Sequence, residues 1–136
     1  MKNDIVALFQ KVSKTTDFLP SNINLHDYIL KIIQNSTIIC QYTEGQLIGL
    51  VSYYDNDNTK VSSFLSMIIV DPNSHKKKIG SNLLEASIRD LKLKGFLNYY
   101  LEVKKNNYKA IRLYEKYGFE FVHTKKDFNK MRLILQ

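Results

Sequence analysis

Leu101-Glu102-Val103-Lys104-Lys105-Asn106-Asn107-Tyr108-Lys109-Ala110-Ile111-Arg112-Leu113-Tyr114-Glu115-Lys116-Tyr117-Gly118-Phe119 holds a strand end, a turn and a whole helix. Residues 97–103 read as a strand and 107–117 as a helix, which Gly118 closes. Residues 119–124 then read as a second strand. A helix between two strands points to a domain in which helices pack on a sheet.

The same pattern extends outward. Upstream, Ile79, Leu83, Leu84, Ile88 and Leu91 follow helical spacing, and Gly95 ends that helix. Residues 61–70 read as a strand stopped by Asp71-Pro72. Before it, 37–42 and 46–54 form a hairpin around Glu44-Gly45, with Asp55-Asn56-Asp57-Asn58 as a polar turn. Two helices open the chain. One covers 4–14, with Ile5, Val6, Leu8, Phe9 and Val12 as its stripe. The other starts at Asn24 or Leu25 and carries Tyr28, Ile29, Ile32 and Ile33. A loop over 15–24 with Pro20 joins them. Downstream, 131–135 is a last strand after a loop at 127–130. The predicted order is ααβββαβαββ, a mixed α/β sheet with helices on both faces, in one domain over residues 1–136.

Composition narrows the function. Hydrophobic residues make up 44% and charged residues 24% of the chain, which excludes a wholly disordered protein. No run approaches the about 20 apolar residues of a membrane span, and the N-terminus lacks an apolar signal region. The single cysteine, Cys40, excludes an internal disulfide framework and a cysteine-cluster metal site. Cys40 reads as core, and His26 and His123 lack metal-ligand spacing, so no metal is expected. A cytoplasmic setting follows from these features. The charge is uneven. Residues 1–68 carry five Lys/Arg against six Asp/Glu, and residues 69–136 carry fifteen against seven. That excess fits a solvated surface, a nucleic-acid footprint or a site for a phosphorylated small molecule.

Two segments carry candidate chemistry. Val70-Asp71-Pro72-Asn73-Ser74-His75-Lys76-Lys77-Lys78-Ile79-Gly80-Ser81 runs from a strand end through a basic loop into a helix start. Backbone N–H groups there are unpaired and carry partial positive charge, so phosphate binds well. Gly80 lets a ligand approach the backbone, and Lys76, Lys77 and Lys78 add charge. The plainer alternative is a helix capped by Ser74 with lysines in solvent. In the second segment, positions 107, 110, 111, 114 and 118 fall near one face. Ala110 leaves room for a ligand, Asn107 offers donor and acceptor, and Tyr114 offers a phenolic proton. An amphipathic helix with a tyrosine tip fits the same residues.

Together the two segments resemble the GCN5-related N-acetyltransferase (GNAT) family. The match runs over about residues 46–124, on Met67-Ile68-Ile69-Val70-Asp71-Pro72 through Ile79-Gly80-Ser81-Asn82-Leu83-Leu84, and on Leu101-Glu102-Val103 with Asn107-x-x-Ala110-x-x-Leu113-Tyr114-Glu115-Lys116-x-Gly118-Phe119. The resemblance implies a twisted mixed sheet whose parallel strands, here 61–70 and 97–103, open as a V around acetyl-CoA. It implies that Ile68, Ile69 and Val70 pair with the pantetheine arm. The backbone of His75, Lys76, Lys77, Lys78, Ile79, Gly80 and Ser81 holds the pyrophosphate, Asn107 and Ala110 adjoin the pantetheine, and Tyr114 faces the thioester sulfur as general acid. A primary amine then attacks directly in a ternary complex.

Three departures stand out. The usual Gln/Arg-x-x-Gly-x-Gly/Ala loop has His75 at its first position and Lys78 at its first glycine. The family's first strand is short or missing, and Phe64 and Ser66 stand where a carboxylate base is often found. Glu102, His75 or a water chain is the candidate base. The acceptor, a small molecule or a protein, is expected against residues 11–33 and 125–130, where the sparse Asp17, Asp27 and Asp127 weigh mildly against a polyamine or aminoglycoside and leave an amino sugar, an amino acid derivative or a protein terminus open. A non-catalytic CoA-binding regulatory module is the first alternative function and a basic nucleic-acid-binding domain the second, membrane is not an expected partner, nucleic acid is a weaker one than acetyl-CoA, and homodimer formation is left open.

Overall fold

The computed structural model describes residues 2–13 and 24–136, with the backbone alone at 75–77. Helices α1 (Lys2–Ser13) and α2 (Leu25–Asn35) precede strands β1 (Thr37–Thr43), β2 (Gln46–Tyr54) and β3 (Ser62–Val70). A 3-10 turn, Pro72–Lys77, leads into α3 (Ile79–Lys94). Then come β4 (Asn98–Lys104), α4 (Tyr108–Lys116), β5 (Glu120–Lys125) and β6 (Phe128–Ile134). The order matches the expectation.

The six strands form one sheet in the order β1-β2-β3-β4-β6-β5. All neighbours are antiparallel except β3 and β4. Two apolar clusters clamp it. On one face Ile5, Leu8 and Phe9 of α1 and Ile29 and Ile32 of α2 bury Leu47, Leu50 and Ile69. On the other, Ile79, Leu83, Leu84 and Leu91 of α3 cover Ile48, Val51, Tyr53, Tyr99 and Leu101, and α4 joins through Ala110, Ile111 and Tyr114. Cys40 is half-buried beside the first cluster, and burial pushes its thiol up from the usual value.

The last strand begins earlier than expected. Residues 128–130 belong to β6, which pairs with β4 from Phe128 opposite Lys104 to Ile134 opposite Asn98. The expected loop at 127–130 shrinks to a tight turn in which Lys126 takes φ 56°. Phe128, Lys130 and Arg132 share one face while Met131 on the other is buried, so the polar side of a half-solvated strand imitates a loop.

Gly49 in β2 sets how closely α3 lies. A Cβ there would stand 2.8 Å from Ile79 Cγ2, 3.1 Å from Leu83 Cδ1 and 3.3 Å from the Ile69 carbonyl oxygen. A Cβ on Gly80 would meet only Val70 and Ile68 methyls, at 3.8 and 4.0 Å. Gly49→Ala must therefore lift the first turn of α3, at a cost of about 1–3 kcal/mol. Gly80→Ala should leave stability unchanged or slightly raised. Equal melting temperatures for the two variants would contradict this packing.

An aromatic chain crosses the second cluster. Ring centroids lie 6.1 Å apart for Tyr53–Tyr99, 5.6 Å for Tyr99–Phe119 and 5.7 Å for Phe119–Tyr114. Tyr99 donates to Ser87 Oγ at 2.9 Å, and Tyr53 donates to Asp90, which also receives Lys94 at 2.8 Å. Burial raises all three phenols, that of Tyr114 to about 12, and Asp90 lifts Tyr53 further. An unfolded tyrosine ionises near about 10. The raised folded values make their stabilisation complete below that pH and progressively lost above it, by about 1.4 kcal/mol per unit for each proton that only the unfolded chain releases. Denaturation midpoints should hold steady to about pH 10 and then fall, with Tyr53, Tyr99 and Tyr114 resisting ionisation in the folded protein. Phenolate absorbance that rises for all nine tyrosines in a still-folded protein would refute the burial assignment.

Candidate active site

The parallel pairing of β3 and β4 is short. Ser62, Ser63 and Phe64 pair with Asn98, Tyr99 and Tyr100, and the ladder ends there. Both strands run on, to Val70 and Lys104, while keeping their antiparallel partners β2 and β6. The registers Ser52–Met67 and Tyr53–Leu65 leave Ser66 as an extra residue, a bulge just past the last parallel pair. A bulge bends its strand, and here it falls where the β3–β4 ladder ends. The expected V is therefore present between the expected strands. Ile68, Ile69 and Val70 lie on its β3 arm.

Beyond that arm, Asp71 caps the 3-10 turn by accepting from the Asn73 N–H at 3.0 Å. Its other oxygen takes Lys11 at 3.2 Å, which ties the turn to α1. Ser74 is not the cap: its backbone N–H donates to the Asp71 carbonyl at 2.8 Å. The cap position of α3 is Lys78, which is left-handed (φ 56°, ψ 31°) with an exposed side chain that makes no capping hydrogen bond. The first turn of α3 holds no acidic residue. Its first helical bond runs from Asn82 N–H to the Lys78 carbonyl at 3.1 Å. The N–H groups before it have no intrahelical acceptors and carry the positive end of the helix dipole. Buried Ile79 anchors this turn, while Gly80 and Ser81 are half-buried. His75, Lys76 and Lys77 lie on the 3-10 turn, and their side chains fall outside the described residues.

Asn107 caps α4, its Oδ1 accepting from the Ala110 N–H at 3.2 Å. The capping role and a binding role are compatible, since the side-chain NH2 is not used in the cap. Ala110 packs half-buried on the core. One turn on, the Tyr114 ring meets Phe119 edge-on at 5.7 Å. Its hydroxyl has no hydrogen-bond partner among the described residues, where no buried side-chain oxygen is left unsatisfied. The ring is thus packed while its oxygen reaches solvent, and the phenol stays protonated until about pH 12.

The alternation of β4 puts the rest of the site on the opposite face. Tyr99, Leu101 and Val103 point to the α3–α4 cluster, and Tyr100 and Glu102 point away from it. Tyr53 and Tyr99 are fully buried, while their neighbours Tyr54 and Tyr100 are half-buried. A cavity of ≈ 230 Å³ lies on this face, lined by Phe64, Tyr100, Glu102, His123, Lys125 and Lys130. The sequence marks Phe64 only as standing where a base is often found and His123 only as lacking metal-ligand spacing; tertiary pairing brings both to the cavity that Glu102 lines. Asp17, a sequence candidate for the acceptor, lies outside the described residues. Among the described residues no group of three or more His, Cys, Asp or Glu side chains gathers as a metal site would, and no helix is long and apolar enough to cross a membrane.

Comparison with known proteins accords with this architecture. A spermine/spermidine N(1)-acetyltransferase of Bacillus subtilis (strain 168) is 34% identical over 101 residues, which cover 70% of this chain and 66% of that protein. The matched stretch thus spans just under two thirds of that relative's length. The ribosomal-protein-S18-alanine N-acetyltransferase from Escherichia coli superposes with a TM-score of 0.81 at 20% identity, covering 99% of this chain and 88% of that one. The PaiA N-acetyltransferase from Thermoplasma acidophilum, solved in complex with coenzyme A, does so with a TM-score of 0.78 at 20% identity, covering 98% and 92%. The model of the Acetyltransferase (GNAT) family matches residues 6–119, most of the chain, and with the split sheet in hand the conclusion is plain: the chain belongs to the GNAT family.

Proposed function

We propose that this chain is an acetyl-CoA-dependent N-acetyltransferase acting on a primary amine. The observation that carries the reading is the parting of β3 and β4 between an uncapped helix start and the open hydroxyl of Tyr114. The coenzyme A held by the Thermoplasma protein and the acetyltransferase names of the relatives support it. In this reading the β3 edge at Ile68, Ile69 and Val70 takes the amides of the pantetheine arm as a further strand would. The N–H groups from His75 to Ser81 take the pyrophosphate. The Asn107 NH2, with Ala110 beside it, adjoins the pantetheine.

The amine nitrogen attacks the thioester carbonyl carbon, the carbon–sulfur bond breaks, and the sulfur leaves as thiolate. Holding both reactants in one slot supplies much of the rate. The amine's surplus proton passes to Glu102, which lines the cavity, or to water. Full proton transfer from Tyr114 is uphill, since a phenol at about 12 faces a thiol near about 8.5. Tyr114 therefore acts as a hydrogen-bond donor to the growing thiolate charge, which resolves to thiol through solvent. A charge-assisted bond of this kind is worth about 1.5–3 kcal/mol.

Tyr114→Phe should lower kcat about 10–100-fold with little change in the Kd for CoA. Because Tyr114 is neutral throughout the working range, the variant should keep the wild-type pH profile at a lower plateau. A profile whose alkaline limb vanishes in Tyr114→Phe would show that the phenol itself titrates there and would defeat this role.

Lys78→Gly separates backbone from charge in phosphate binding. It relieves a left-handed lysine, worth about 1 kcal/mol. The melting temperature should rise, the Kd for CoA should stay within about threefold, and its salt dependence should become shallower. A large loss of affinity with unchanged salt dependence would mean that the loop holds the nucleotide by side-chain geometry instead.

A further inference from the structure

We infer that the accepted amine is a small molecule that also carries an anionic group, a carboxylate or a phosphate, and that Lys130 selects it. The inference rests on the transferase reading and extends it to the substrate class. Its basis is the charge layout of the ≈ 230 Å³ cavity beside the last β3–β4 pair, Phe64–Tyr100. Phe64 and Tyr100 stack with centroids 5.3 Å apart, one ring from each parting strand. The Lys130 ammonium sits over them, 4.6 Å from the Tyr100 centroid and 5.9 Å from that of Phe64.

Lys130 stands directly opposite Glu102 in the β4–β6 ladder, yet neither takes part in an ion pair among the described residues. The ammonium lies on the rings, and the carboxylate keeps its own place on the cavity wall. Lys125 and His123 line the cavity too, and Lys104 and Arg132 share its face of the sheet, Arg132 with Glu120 opposite it. Glu102 can therefore receive an ammonium, and Lys130 with Lys125 an anion, at neighbouring positions of one sheet face. Charges at the two ends of one molecule would both be matched. A polyamine would satisfy Glu102 and bring its second cation against two lysines, an arrangement that excludes it. The volume lies below the about 300–1,000 Å³ of drug-sized sites, which suits a molecule of amino-acid size.

The test uses CoA-saturated protein and four amines: 2-aminoethyl phosphate, β-alanine, ethanolamine and spermidine. Calorimetry reads binding, and thiol release from acetyl-CoA reads turnover. One or both anionic amines should bind about tenfold or more tighter than ethanolamine, and the better of the two identifies the anion. Lys130→Met should erase that margin and Lys130→Arg should keep it, with CoA affinity unchanged in both. Lys130→Glu should turn the preference toward spermidine. Equal binding of all four amines, or a margin that survives Lys130→Met, overturns the inference. Spermidine turned over in preference by the wild type also overturns it while leaving the transferase standing. Lys130-dependent binding of an anionic amine with no thiol release supports the site and overturns the transferase.

Discussion

Everything in this molecule follows from a parallel strand pair that stops after three residue pairs in the middle of a sheet. Backbone polar groups must be satisfied, so a split sheet survives only if each half is held without the other and the gap is filled by water or ligand. Here each half has its own antiparallel partners, and α3 with its cluster spans both. The closed end is stapled. Leu97 N–H donates to the Lys60 carbonyl at 2.9 Å, Ser63 Oγ to the Asn98 carbonyl at 2.7 Å and Leu135 N–H to the Leu97 carbonyl at 2.9 Å. Lys94 adds a clasp by bridging Asp55 at 2.6 Å and Asp90 at 2.8 Å. Opening is thus confined to the far end, where the Ser66 bulge bends β3.

The split also joins two faces that are otherwise separate. Tyr114 belongs to the α3–α4 side, and Glu102 with the aromatic floor belongs to the other. A thioester lying in the gap can meet a hydrogen-bond donor from one face and an amine from the opposite one. Neither group needs a long loop to reach it. The chain from Tyr53 through Tyr99 and Phe119 to Tyr114 fixes the donor by packing alone, without a hydrogen bond to its oxygen. That arrangement leaves the oxygen free to donate and raises its pKa together.

Periodicity made the element order readable, because each helix presents a full apolar stripe and the buried strands are continuous apolar runs. Three features were not readable, each for a local reason. Asp127-Phe128-Asn129-Lys130 looks like a loop, because the solvent side of β6 is polar and its inward positions are sparse. A lone Gly49 in a strand signals only weakness until α3 is laid on it at a distance that no Cβ permits. Ser74 is a good cap by residue type, yet Asp71 begins the turn one position before Pro72 and so takes the role. The cavity escaped for a different reason: Phe64, Glu102, Lys130 and His123 come from four strands whose pairing order, β3-β4-β6-β5, is not their chain order.

Lys78 shows why a family pattern can be broken without losing what it encodes. The position that usually carries glycine takes φ 56° here, so what it demands is a left-handed backbone and not empty space. The side chain points to solvent, and the turn that begins at Ile79 keeps its N–H groups in place behind the packing of Gly49 on Ile79. Lysine accepts about 1–2 kcal/mol of strain at such a site. In return it sets a full positive charge at a helix start that already favours phosphate. Where the ligand is a diphosphate, the charge and the backbone act on the same oxygens, and the substitution exchanges fold stability for attraction.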